Sequence, residues 1–170
     1  RYLDADVKYR DGTTKLLDIY TVSQSAAEAV LSKPIARFMR LLFEAEPWGF
    51  QSLSFWKGSQ QQIHKDSAYV RVHPPMSLVA SWIALEDVHE GTGELQYYEG
   101  SHLSPDYLFG GVNKWADGHM EQHPAFLDSL GRDAQKYGQP LSRFLPKKGD
   151  VLIWHADLAH GGAKITRPDM

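Results

Sequence analysis

The chain has 170 residues, 42% apolar and 23% charged, the balance of one ordinary globular domain with room for a core. The 18 Lys plus Arg against 21 Asp plus Glu leave a net charge of −3, without the broad positive field of a nucleic-acid binder. No cysteine is present, which excludes disulfides, thiolate catalysis, iron–sulfur clusters and Cys-type zinc sites.

Asp11-Gly12 lies between Val7-Lys8-Tyr9 and Leu16-Leu17-Asp18-Ile19-Tyr20 and predicts a turn within a hairpin. From Ser25 the period becomes helical. Ala26, Ala29 and Val30 share one face, and Ile35, Phe38, Met39 and Leu42 share the face of a second helix that Pro34 starts in its first turn. Phe50 to Trp56 alternates as a strand does. Leu78 to Leu85 is a mostly apolar run around Trp82, suited to a buried strand, and Glu94 to Tyr98 is a short third strand. Residues 103–118, with Pro105, Gly110, Gly111 and Gly118, read as an irregular excursion, and its length suits a lid or pocket wall. Pro124 to Tyr137 reads as helix. Lys147-Lys148-Gly149-Asp150 makes a turn into the strand Val151-Leu152-Ile153-Trp154. Early helices followed by many short strands predict a mainly β fold, a sandwich or jelly roll with flanking helices, over a single domain 1–170.

Without cysteine, a metal site must draw on the eight His, on carboxylates or on carbonyls, donors that suit iron, copper, nickel, manganese or non-Cys zinc. In His64-Lys65-Asp66, residues i and i+2 of an extended strand project from one face, so His64 and Asp66 can reach one ion while Lys65 points away. His160, just before Gly161-Gly162, fits as the third ligand. Two imidazoles and a carboxylate make the facial site of non-heme Fe(II) oxygenases. A second His-x-Asp, His155-Ala156-Asp157, precedes His160. Along a continuous strand 155 and 160 face opposite ways, so His155 reads as a packed or supporting histidine and Asp157 as a turn residue. His73, His89, His119 and His123 read as surface or capping residues. Tyr69 lies three residues past Asp66, within reach of the same mouth. The Gln51 amide needs polar partners if buried, and the Trp82 N–H needs an acceptor.

Taken in order, Phe50-Gln51-Ser52, His64-Lys65-Asp66-Ser67-Ala68-Tyr69, Ser81-Trp82-Ile83-Ala84-Leu85-Glu86, Thr92-Gly93-Glu94-Leu95, Gly100-Ser101-His102, Lys148-Gly149-Asp150-Val151, His155 and His160-Gly161-Gly162 resemble the phytanoyl-CoA dioxygenase family of Fe(II)- and 2-oxoglutarate-dependent oxygenases. The resemblance runs from about Phe50 to Gly162. It implies a double-stranded β-helix, a cupin-like jelly roll with helices outside. It implies Fe(II) held by His64, Asp66 and His160, with 2-oxoglutarate as cosubstrate and O₂ as oxidant. It places Gln51 and Trp82 on 2-oxoglutarate and Tyr69 at the cosubstrate or substrate mouth. It makes His155 a non-ligand. Related halogenases replace the carboxylate ligand by a small residue, so Asp66 implies hydroxylation of a C–H bond.

The family pairs the distal carboxylate of 2-oxoglutarate with an Arg about eleven to thirteen residues beyond the second His, a planar fork suited to bidentate capture. Arg167 stands only seven residues after His160, so the expectation is a chain lacking that Arg and its last strand. The rival readings are a cupin-like zinc or manganese isomerase or hydrolase on the same ligands, and a non-catalytic β-sandwich binding module. No apolar run approaches the ~18 residues of a membrane span. The N-terminus, Arg1-Tyr2-Leu3-Asp4-Ala5-Asp6, has no secretory pattern. The expected setting is therefore cytoplasmic, with a small-molecule substrate and neither nucleic acid nor membrane as partner.

Overall fold

A computed structural model describes residues 15–169. The chain divides into two compact units, residues 1–59 and 60–170. Among the described residues no helix is long and apolar enough to cross a membrane.

In the first unit, strand β1 (Lys15–Leu17) pairs antiparallel with β2 (Leu53–Phe55). The Asp11-Gly12 turn lies outside the described residues. The strand expected over Phe50 to Trp56 shortens to β2. Before it, the Ser52 N–H donates to the Asp18 carboxylate at 2.8 Å, and Phe50 and Trp56 at its two ends are exposed. Helix α1 (Gln24–Val30) is capped by Ser23, whose hydroxyl accepts from the Ala26 N–H. Helix α2 (Lys33–Phe43) has Pro34 in its first turn, where a missing N–H costs nothing. Of its predicted apolar face only Met39 is buried; Phe38 and Leu42 are exposed.

The second unit is a small jelly roll. Strand β3 (Val79–Ile83) pairs antiparallel with β6 (Val151–His155), Ala80 opposite Trp154 and Trp82 opposite Leu152. Strand β4 (Leu95–Tyr98) lies between β5 (Leu141–Phe144) and β7 (His160–Gly162). Its register sets Tyr97 opposite Ser142 and His160, and Leu95 opposite Phe144 and Gly162. Strand alternation therefore gives Leu95, Tyr97, Phe144 and His160 one face, and Gln96 and Tyr98 the other. The first face meets the β3–β6 pair, since the Trp82 and Phe144 rings lie 5.8 Å apart and those of Trp154 and His160 4.9 Å. The second face packs on helix α3 (His123–Lys136) through Tyr98 and Leu127.

Strand β5 has no counterpart in the predicted elements. Its four residues sit between Pro140 and Pro146, and the outward Leu141 and Arg143 hide the alternation behind one apolar and one charged side chain.

The core cluster of the second unit joins α3 (Phe126, Leu130) to the excursion (Phe109, Ala116) and to Ala68 and Ala159. Those two alanines are near neighbours in sequence of Asp66 and His160, so the packed core backs both segments. Phe109 is fully buried between Tyr107 and Phe126, at centroid distances of 4.9 and 5.2 Å. Phe109→Ala is expected to cost about 3–5 kcal/mol, read as a lower urea midpoint at unchanged m-value.

Candidate metal centre

The site begins with a backbone pairing. Residues 61–64 run beside β7: His64 N donates to His160 O at 2.8 Å, His160 N to His64 O at 2.9 Å, and Gly162 N to Gln61 O at 2.9 Å. Gly161 permits this approach, because a Cβ there would meet Gln61 O at 2.6 Å and Ile63 N at 2.9 Å. The pairing sets the His64 and His160 rings 4.5 Å apart, centroid to centroid, although 96 residues separate them in sequence.

Asp66 arrives differently from the expectation. Lys65 is extended (φ −114°, ψ 132°), but Asp66 opens a 3₁₀ turn, Asp66–Ala68, rather than continuing a strand. The turn still brings the carboxylate to both imidazoles. Oδ1 lies 3.5 Å from His64 Nε2 and 3.7 Å from His160 Nε2. One ligand atom from each of the three residues lies within 4.8 Å of the others, the one such His/Asp/Glu group among the described residues.

The outer atoms of all three side chains are engaged. His64 Nδ1 lies 2.9 Å from Gln62 O and His160 Nδ1 2.9 Å from Leu158 O. A carbonyl only accepts, so each Nδ1 carries the proton and each Nε2 keeps its lone pair toward the centre. The Trp154 indole N–H donates to Asp66 Oδ2 at 3.3 Å, leaving Oδ1 turned inward. Two neutral imidazoles and one carboxylate, largely buried, form a donor set of charge −1 that fits a divalent cation with open positions.

Electrostatics favour the neutral imidazole at His160 and the charged carboxylate at Asp66. Burial pushes the His160 imidazole below its ordinary value, and the Asp66 charge offsets only part of this. Burial alone would raise the Asp66 carboxyl, but its contacts with His64 and His160 and the Trp154 N–H outweigh it and hold it below the usual carboxylate range.

The other predicted residues fall as follows. Tyr69 is 41% exposed, its ring edge-on to His64 at 5.6 Å. Its hydroxyl is 2.6 Å from Nε2 of His123, the first residue of α3, which gives that histidine a partner the sequence did not reveal. Trp82 shares the face of the β3–β6 pair that carries Trp154. Gln51 belongs to the first unit, exposed, two residues before β2. His155 stays outside the group, its Nδ1 accepting from the Asp157 N–H at 3.1 Å. Asp157 is no simple turn residue: it is 1% exposed and paired with Lys114 at 2.7 Å. Arg167 lines a separate cleft of about 530 Å³ with Arg143 and Lys164. Sequence reasoning missed Trp154 and Gln61, whose Nε2 is 3.3 Å from His64 Nε2. A Trp on an apolar strand gives no signal that separates an indole donor from core filler.

The sequence profile of the phytanoyl-CoA dioxygenase family matches residues 9–169. The chain belongs to that family. No curated protein matches it by sequence. Among solved structures it is similar to the non-heme α-ketoglutarate-dependent carbocyclase SnoK from nogalamycin biosynthesis, with TM-score 0.70 and 19% identity over 91% of this chain and 58% of that one. It is similar to EctD from S. alaskensis, solved with 2-oxoglutarate and 5-hydroxyectoine: TM-score 0.66, 19% identity, 91% of this chain and 52% of that one. The α-ketoglutarate-dependent epimerase SnoN from nogalamycin biosynthesis follows at 0.61 and 18%, over 91% and 57%. The chain thus spans a little over half the length of these proteins, which share the jelly-roll fold of the phytanoyl-CoA dioxygenase family.

Trp154→Phe removes only the donor to Asp66 and is expected to weaken divalent-metal binding about tenfold, measured by titration of the metal-free protein. Stability of the metal-free protein should also fall with pH. His160 favours the native state fully above 6.5, the ordinary imidazole value, and loses that contribution as pH drops through its lowered folded value. Asp66 loses its own only below the ordinary 3.8. Urea midpoints should decrease from pH 7 to pH 5, with a flatter dependence in His160→Asn.

Proposed function

We propose that this chain carries the metal centre of an Fe(II)- and 2-oxoglutarate-dependent oxygenase that hydroxylates a C–H bond of a small-molecule substrate. The observation that carries the reading is the convergence of His64 Nε2, His160 Nε2 and Asp66 Oδ1, each with its outer atom engaged by the protein. Membership of the phytanoyl-CoA dioxygenase family and the likeness to proteins described as α-ketoglutarate-dependent support it.

When bound, Fe(II), 2-oxoglutarate and O₂ supply the oxidising chemistry, with 2-oxoglutarate leaving as succinate and CO₂. The chain's residues hold and shield. His64 and His160 keep their rings fixed by the carbonyls of Gln62 and Leu158. Asp66 supplies the charge, oriented by Trp154. Trp82, on the inner sheet face, offers an indole wall and one N–H to a carboxylate cosubstrate. Tyr69, fixed by His123, borders the opening through which a substrate enters. The similar structures include a carbocyclase and an epimerase, so the metal site alone does not choose the outcome. Asp66 at the third ligand position would leave no place for a halide, which favours hydroxylation over halogenation.

His64→Ala and Asp66→Ala are each expected to abolish stoichiometric Fe(II) binding under anaerobic titration, and with it succinate formation from 2-oxoglutarate. His155→Ala should keep most of the binding. Equal loss in His155→Ala, with circular dichroism unchanged, contradicts the assignment. Tight stoichiometric zinc with no succinate formed under any metal would instead favour a hydrolase or isomerase.

A further inference from the structure

The centre leaves unexplained a buried charge beside it. Asp157 is 1% exposed, and its two carboxylate oxygens serve two different segments. Oδ1 accepts from Ser67 Oγ at 2.5 Å, and Ser67 follows Asp66 within the 3₁₀ turn. Oδ2 accepts from Lys114 Nζ at 2.7 Å, and Lys114 belongs to the excursion between β4 and α3. The same ammonium meets Asp106 at 2.9 Å and the Met76 sulfur at 3.4 Å. Two backbone bonds run alongside, Ser67 N to Ala156 O at 3.3 Å and Ala116 N to Ala68 O at 2.9 Å.

Asp66 is the ligand that most needs such support. His64 and His160 sit in paired backbone, whereas Asp66 sits in a turn. Its side chain is 26% exposed, against 8% and 7% for the two imidazoles. The Trp154 indole, a side-chain donor to it from outside the ligand set, is at 3.3 Å. The place of its carboxylate therefore follows the place of the turn.

We propose that Asp157 is a positioning residue that locks the excursion, through Lys114, to the turn that carries the metal's carboxylate ligand, through Ser67. The inference rests on the metal reading above and adds to it that the excursion sets the geometry of Asp66 without touching the metal. The charges agree with the geometry. Burial works against the Lys114 ammonium, yet its bonds to Asp157 and Asp106 outweigh burial and hold its pKa above the ordinary value.

The test is Co(II) titration of the whole chain, followed by visible ligand-field absorption, in the parent protein and in Ser67→Ala, Lys114→Met, Lys114→Arg and His64→Ala. Ser67→Ala and Lys114→Met should each bind about tenfold more weakly, with a changed band shape, while Lys114→Arg stays near the parent. A role in stability alone would lower the urea midpoint and leave affinity and band shape as in the parent. Binding within about twofold of the parent in both Ser67→Ala and Lys114→Met therefore overturns the lock. If Lys114→Met does not fold, Ser67→Ala decides by the same criterion. Loss of Co(II) in His64→Ala beside parent-like binding in Ser67→Ala rejects the lock and keeps the metal reading; parent-like binding in His64→Ala rejects both.

Discussion

Two reciprocal backbone hydrogen bonds between His64 and His160 are the constraint on which the site depends. They join segments almost a hundred residues apart, and they do so where a glycine lets the strands approach closely. Once that pairing is made, the two imidazoles face each other, and a single turn of backbone brings Asp66 to both. The remaining architecture protects the pairing. The β3–β6 pair closes over the inner face with Trp82 and Trp154, and the cluster of Phe109, Phe126 and Leu130 backs the outer one.

The centre is built in tiers of decreasing tolerance. At the middle are three donor atoms. Around them stand groups that can only accept or only donate, namely the two carbonyls and the indole N–H, and these leave each ligand one usable orientation. Beyond them lies a buried carboxylate, Asp157, with partners on either side. Burying that charge is unfavourable unless each oxygen is satisfied, and its partners come from two segments that are also joined by backbone bonds and core packing.

Much of this was legible in the residues, and the failures have a common cause. His64, Asp66 and His160 could be singled out because short motifs retain their order and spacing. The strands around Trp82 and Trp154 were legible because they are apolar on both sides. Strand β5 was not, since Leu141 and Arg143 point outward and alternate with Ser142 and Phe144. Asp66 looked like a strand residue because i, i+2 spacing suits a strand; the 3₁₀ turn that delivers it carries no pattern over three residues. Asp157, Trp154 and His123 all take their roles from partners distant in sequence, and no local pattern reports a tertiary hydrogen bond. The face of α2 failed in the opposite sense, with apolar periodicity where Phe38 and Leu42 remain exposed.

The most direct measurement is anomalous diffraction from crystals of the protein grown anaerobically with Fe(II). The account predicts one peak within bonding distance of His64 Nε2, His160 Nε2 and Asp66 Oδ1, with both Nδ1 atoms still on their carbonyls and Trp154 on Asp66 Oδ2. An ion bound through an Nδ1, or seated away from these three side chains, would contradict it.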